Sequence, residues 1–189
     1  MEKKRPTSTK RIVVAALMAA LTVAGSAIRV TLPVDIAGTT SFHLGNILCA
    51  LSGILLGPGL GALAAGLGSA IYDMMNPLYI SEAWITFLTK AAYGLAAGAV
   101  AWQGKKQWGY GRTVFASLTG ALTYAALYLA KSYYYSGLLL KGLTHEAAML
   151  SVIGKLPATI FNGVVAVIFA PILAMAIKKA LESNHLTLE

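Results

Sequence analysis

Long apolar runs, broken by short polar or glycine–proline stretches, divide this chain into six candidate membrane spans. The first runs from Arg11 to Thr31, the second from Phe42 to Leu56 and the third from Leu60 to Met75. The fourth covers Glu82 to Trp102, the fifth Arg112 to Tyr134 and the sixth Ala147 to Ile177. An α-helix needs about 20 mostly apolar residues to cross a bilayer core, and these runs approach or exceed that length. Gly57-Pro58-Gly59 is the only turn between the second and third spans, which predicts a tight hairpin. Both of these spans are short, a mismatch that tilt or local thinning absorbs. Pro157 and Pro171 interrupt the sixth, predicting kinks or a late helical start.

Polar residues recur inside the spans at helical spacing. Glu82, Thr86, Thr89, Lys90 and Tyr93 share one face of the fourth. Ser151, Lys155, Thr159 and Asn162 do the same in the sixth, and Tyr124, Tyr128, Lys131 and Tyr135 in the fifth. The third ends on Ser69, Tyr72, Asp73 and Asn76, while His43 and Asn46 open the second. Ionisable groups at membrane depth are costly and usually face a bundle interior, so each is a functional candidate. Four polar stripes together predict a pocket offering hydrogen bonds, charge and aromatic faces to a small solute.

Composition agrees with the spans: 57% of residues are hydrophobic and 12% charged, over 189 residues. Six spans with short loops use that length up, so the expectation is a single all-α integral membrane domain over residues 1–189. The net charge of +8 sits mostly on loop flanks. Lys3, Lys4, Arg5, Lys10, Arg11, Lys105, Lys106, Arg112, Lys178 and Lys179 fall on one side, ten of the 15 basic residues. The positive-inside rule makes that side cytoplasmic, with a basic N-terminus (1–10), a tail (178–189) and both termini inside. The basic head and the small residues near Ala24 and Ala27 imitate a signal peptide, but the stretch reads as a retained first span. All the polar stripes then converge on the outer leaflet. Outer-side cations (Arg29, Lys90, Lys131, Lys141 and Lys155) exceed the acids (Asp35, Asp73, Glu82 and Glu146) by five to four, which favours a carboxylate-bearing or polar heteroaromatic ligand.

Every one of these positions also has a purely structural reading. Lys131, Lys141 and Tyr133-Tyr134-Tyr135 suit interfacial anchoring. Asp73 and Lys90 suit an internal ion pair, and Asn46 and Asn162 suit hydrogen bonds between helices. His43 suits a plain helix end. An enzyme would need a nucleophile–base pair or metal ligands, whereas His43 stands alone in the spans and the single Cys49 lies in an apolar run. No catalytic residue, metal site or resident cofactor is therefore expected. A self-sufficient secondary transporter or channel is the alternative, although no internal repeat is visible. Ala15 and Ala19, and in the next register Ala16, Ala20 and Ala24, form small-residue faces that allow close helix approach.

One order of motifs stands out. After the Ala-rich first span and an outer loop (Leu32 to Ser41) come His43-Leu44-Gly45-Asn46, then Leu56-Gly57-Pro58-x-x-Gly61, then Gly66-x-Gly68-Ser69-x-x-x-Asp73. In this order, and in size, the chain resembles the substrate-binding S component of an energy-coupling factor (ECF) vitamin transporter. The resemblance implies a prokaryotic cell-membrane protein that captures a water-soluble vitamin or precursor from outside; pantothenate, hydroxymethylpyrimidine and pyridoxine are examples. It implies partners, a transmembrane coupling subunit and two ATPases, which use ATP that this chain does not bind. It places coupling-subunit docking on Ala15 and Ala19, with Ala16 and Ala20 as the adjacent register. The loop bearing Pro33 and Asp35 becomes a gate. The pocket falls on the outer halves of spans four to six, so the expected substrate-binding set is His43, Asn46, Asp73, Glu82, Thr86, Lys90, Tyr93, Tyr128, Lys131, Lys155 and Asn162.

Overall fold

In the computed structural model, residues 9–34, 38–104 and 109–184 are described. Asp35 lies outside them, and of Pro33 only the backbone is described. Among the described residues, five helices are long and apolar enough to cross a membrane. They are α1 (Thr9–Ala27), α2 (Gly45–Met75), α3 (Ala83–Ala101), α4 (Tyr110–Lys131) and α5 (His145–Ser183). A single turn of tighter helix (Ile80–Glu82) leads into α3, and α4 continues as a wider, π-type coil over Ser132–Leu140.

Two predicted spans are joined in α2. Gly57 breaks its helical path with φ 79° and ψ −177°, a left-handed φ that glycine tolerates without a Cβ clash. Pro58 then opens the second half, where a missing N–H costs nothing. The halves fold back on each other: Cys49 Sγ lies 3.7 Å from Ser69 Oγ, 20 residues along the chain. A straight helix would separate those residues by roughly 30 Å. The expected hairpin is therefore present as a sharp reversal.

Glycine sets the spacing around that reversal. A Cβ on Gly61 would come 2.6 Å from Gly53 Cα, one on Gly94 2.6 Å from Gly61 O, and one on Gly98 2.6 Å from the Gly57 carbonyl carbon. The two halves of α2 and α3 therefore meet backbone to backbone, the close approach that small residues permit in lipid. Gly68 does the same for α1, where a Cβ would run into Ala19 O. This contact decides the register of α1. Ala15 and Ala19 turn inward, half-buried against the core, while Ala16 and Ala20 stay exposed. Ala15 and Ala19 thus pack partly within the chain, and Ala16 and Ala20 form the more exposed register.

Two further expectations change. The outer loop is a β-hairpin: β1 (Arg29–Val34) pairs antiparallel with β2 (Gly38–His43), Arg29 opposite His43 and Val34 opposite Gly38. Its β-branched Val30, Thr31, Val34, Thr39 and Thr40 suit strands, and pairing satisfies their backbone groups. The sixth span does not start late. It begins at His145, capped by Thr144 accepting from the Ala147 N–H at 3.3 Å, and runs helical through Pro157 and Pro171.

Basic residues gather at the end of the bundle where α2 reverses. Arg11 Nη2 donates to Leu56 O at 2.6 Å while its guanidinium lies 5.1 Å from the Trp102 ring. Trp102 Nε1 donates to Ile54 O at 2.8 Å. Those carbonyls are orphans at the end of the first half of α2, so the two side chains act as its C-cap.

Candidate functional site

At the opposite end the polar stripes face one another. The ends of α1 and α2, the start of α3, the end of α4, the outer part of α5 and the two strands surround a cavity of about 830 Å³, open space at its mouth included. Nine of the eleven sequence-predicted binding residues line it: His43, Asp73, Glu82, Thr86, Lys90, Tyr128, Lys131, Lys155 and Asn162. Asn46 and Tyr93 sit behind the wall. Asn46 accepts a short hydrogen bond from Lys90 Nζ and so holds the ammonium in place. Tyr93, fully buried, stacks on Tyr124 at 5.7 Å.

An aromatic wall runs up this side. Tyr124 stacks in turn on Tyr128 at 5.5 Å, with ring planes 25° apart. Lys90 Nζ lies 3.7 Å from the Tyr124 centroid, within cation–π range. Lys131 and Lys155 approach Tyr128 at 6.0 and 5.9 Å. The chain's spacing explains the wall: Tyr124, Tyr128 and Lys131 follow one another at four and three residues, one face of α4.

The charges are partnered unevenly. Lys131 Nζ pairs with Glu82 Oε2 at 2.6 Å, and Glu82 Oε1 accepts from Ser136 Oγ at 2.5 Å. The interfacial-anchor reading of Lys131 therefore gives way to a buried ion pair between α4 and the start of α3. Asp73 and Lys90, a candidate pair in the sequence, form no ion pair among the described residues. Among the described residues Lys155 Nζ makes one hydrogen bond, to the Ser132 hydroxyl at 3.3 Å. Arg29 lies between Tyr72 and Tyr79, 4.1 and 5.0 Å from their centroids, and donates to Ser26 O at 2.8 Å. Burial, and then the charges of Lys90 and Arg29, hold His43 well below its ordinary pKa of 6.5, so its ring is neutral at physiological pH.

Asn162 has a role that its place in the stripe did not show. Its Nδ2 donates to Ser41 O at 2.7 Å and its Oδ1 accepts from the His43 N–H at 3.0 Å. The side-chain amide thus binds β2 as a neighbouring strand would. The preceding residue, Phe161, meets Phe42 edge-on at 4.8 Å. The β-hairpin is fastened over the cavity by α5 through these two residues.

Ser26, Thr40, Ser41, Tyr79 and Ser132 also line the cavity, and the stripes had not pointed to them. They lie at helix ends and in the connections, where helical periodicity carries no signal. Ser69, Thr89, Tyr124 and Thr159 belonged to the stripes and complete the lining with Arg29. Among the described residues no group of His, Cys, Asp and Glu is arranged to hold a metal ion. The arrangement can bind an aromatic or polar solute by stacking, charge and hydrogen bonds.

Comparison with known proteins gives two findings. The family described as "ECF-type riboflavin transporter, S component" matches residues 6–179. A Pyrococcus woesei protein described as an uncharacterized protein in a gap 3′ region is 30% identical over 114 residues, which cover 60% of this chain and 72% of that protein.

Proposed function

We propose the function from one premise: the chain belongs to the family of ECF-type riboflavin transporter S components. It is a membrane protein of transport, and its family role is to bind substrate for an ECF transporter. The finer reading is high-affinity capture of a water-soluble vitamin or precursor in the polar cavity, followed by delivery through a separate coupling subunit and two ATPases. The observation that carries it is a cavity walled by charged and aromatic side chains at one end of a bundle whose other end is filled. Toward the basic end the interior holds Ile54, Leu56, Ala65, Ala97, Ala101 and Ala170, all buried. A polar solute in the cavity has no hydrated way through such packing. That favours a binding subunit over a self-sufficient transporter or channel.

Topology fits the same reading. Counting each half of α2 gives six rods, an even number that puts both ends of the chain on one side. Arg11, Arg112 and Lys178 lie at helix ends on that side. With the positive-inside rule the basic end faces the cytoplasm of a prokaryotic cell and the cavity faces outward. The exposed Ala16 and Ala20, flanked by exposed Ile12, Val13 and Leu17, supply a flat face for the coupling subunit.

The test is direct. Protein purified from cells grown in rich medium should carry one small molecule, identified by mass spectrometry, at one site per chain. Vesicles holding this chain alone should not take that molecule up. Vesicles that also hold the coupling subunit and ATPases should do so with ATP. Uptake by the isolated chain would refute the reading and restore the secondary transporter.

A further inference from the structure

We propose that the molecule seated in the cavity carries a negative charge, a phosphate ester or a carboxylate, held by the Lys155 ammonium and the Ser132 hydroxyl. This rests on the capture reading above and narrows it. Four cationic side chains line the cavity, Arg29, Lys90, Lys131 and Lys155, against two carboxylates, Asp73 and Glu82. His43 adds no charge while its ring is neutral. Of the four cations only Lys131 forms an ion pair among the described residues. The lining side chains therefore carry two more positive than negative charges.

The three unpaired cations differ in what they lack. Arg29 is enclosed by two tyrosine rings and bonded to a carbonyl. Lys90 has the Asn46 oxygen and the Tyr124 face. Lys155, 6% exposed, has one neutral hydroxyl, a ring 5.9 Å away and, beyond hydrogen-bond reach, the Glu82 carboxylate that Lys131 already pairs. An ammonium carries three donors, and a buried charge without a partner is strongly unfavourable. An anion beside Lys155 supplies the missing acceptors and offsets the charge. Ser132 Oγ, already accepting from Lys155, keeps its own proton to donate to the same anion. Lys131, on the same tyrosine ring, adds attraction. The stacked Tyr124 and Tyr128 then offer a surface to an attached planar group. Riboflavin has no ionised group at neutral pH and would leave Lys155 as it stands; its 5′-phosphate would not.

The full-length protein in detergent is titrated with riboflavin, riboflavin 5′-phosphate and pantothenate. One of the two anions should bind at least tenfold tighter than riboflavin, the flavin phosphate pointing to a phosphate and pantothenate to a carboxylate. Lys155→Gln should remove most of that preference and Lys155→Arg should keep it. Riboflavin bound as tightly as both anions, or a preference unmoved by Lys155→Gln, overturns the proposal and leaves the capture reading intact. Should Lys155→Gln not fold, the net charge of the copurifying molecule decides: an anion supports the proposal, a neutral or cationic molecule overturns it. The same criterion applies if none of the three probes binds. With no probe bound and no molecule copurifying, capture itself fails.

Discussion

Replacing Asn162 with alanine should loosen the β-hairpin without disturbing the helices beneath it. The substitution removes two hydrogen bonds, to Ser41 O at 2.7 Å and from the His43 N–H at 3.0 Å. Each is worth about 1 kcal/mol net, and a half-buried carbonyl and N–H are left to find water. The edge contact of Phe42 with Phe161 survives, so the hairpin stays docked but opens more often. A loss of about 2 kcal/mol corresponds to roughly a 30-fold rise in the open population. Amide hydrogen exchange reads this directly. Protection across β2 (Gly38–His43) should fall by that order while α2 and α3 exchange as before. Ligand release should accelerate in parallel. Asn162→Asp should be nearly as harmful, because a carboxylate accepts from His43 but cannot donate to Ser41. Unchanged protection in β2 would show that the hairpin is held by something other than this amide, and the fastening argument would fall.

Four other outcomes follow from the same geometry. Glu82→Gln strands the Lys131 ammonium, 7% exposed, and should cost about 3 kcal/mol in thermal unfolding, whereas adding Lys131→Met should recover more than half of it; additive losses would deny the coupling. Gly98→Ala drives a Cβ to 2.6 Å from the α2 backbone and should destabilise by about 1–3 kcal/mol, while Gly59→Ala, which meets nothing within 4 Å, should be neutral. Equal melting temperatures for the two variants would mean that the glycine contacts are not tight. Ala16→Trp with Ala20→Trp should abolish coupled uptake yet keep ligand binding, and Ala19→Trp should instead reduce folded yield; lost binding in the first pair would sink the docking assignment. Finally, His43 has a depressed native pKa, so the unfolded chain gains a proton near its ordinary 6.5 that the native chain refuses. Stability should fall as pH drops below that value, and His43→Gln should flatten the decline between about pH 6.5 and 5. An identical slope in the variant would place the pH effect elsewhere.

Much of this molecule was legible because helical periodicity is a strong signal in apolar surroundings. A charge such as Lys90 or Lys155 inside a long apolar run has few places to go but inward, and the stripes of α3, α4 and α5 do converge. The limits are equally physical. A small-residue face says that something approaches closely, not what: Ala19 meets Gly68 of the same chain and Ala15 packs against the core, and only the packed structure separates them from Ala16 and Ala20. An asparagine in a stripe reads the same whether its amide faces a solute or a backbone, which hid the bond between Asn162 and β2. Strand pairing over six residues leaves a weak pattern beside spans of three times that length, so the hairpin read as a loop. The cavity residues that no stripe pointed to, Thr40, Ser41 and Tyr79 among them, came with those connections.

Glycine contacts and polar stripes divide the bundle into halves with different mechanical character. Gly53, Gly61, Gly94 and Gly98 lock α2 and α3 at backbone contact, and Arg11 and Trp102 cap the reversal from below. Opening a path through that half would separate many close-packed atom pairs at once, each small in energy but large in sum. On the cavity side, the β-hairpin is tied to α5 by one amide and one aromatic pair. The weak point among the described residues is therefore the hairpin. A solute that enters past the hairpin has the same exit available and no other of comparable cost. On the proposed function, net import then requires the cavity itself to be presented to the other side, with the energy supplied by the proposed partner subunits.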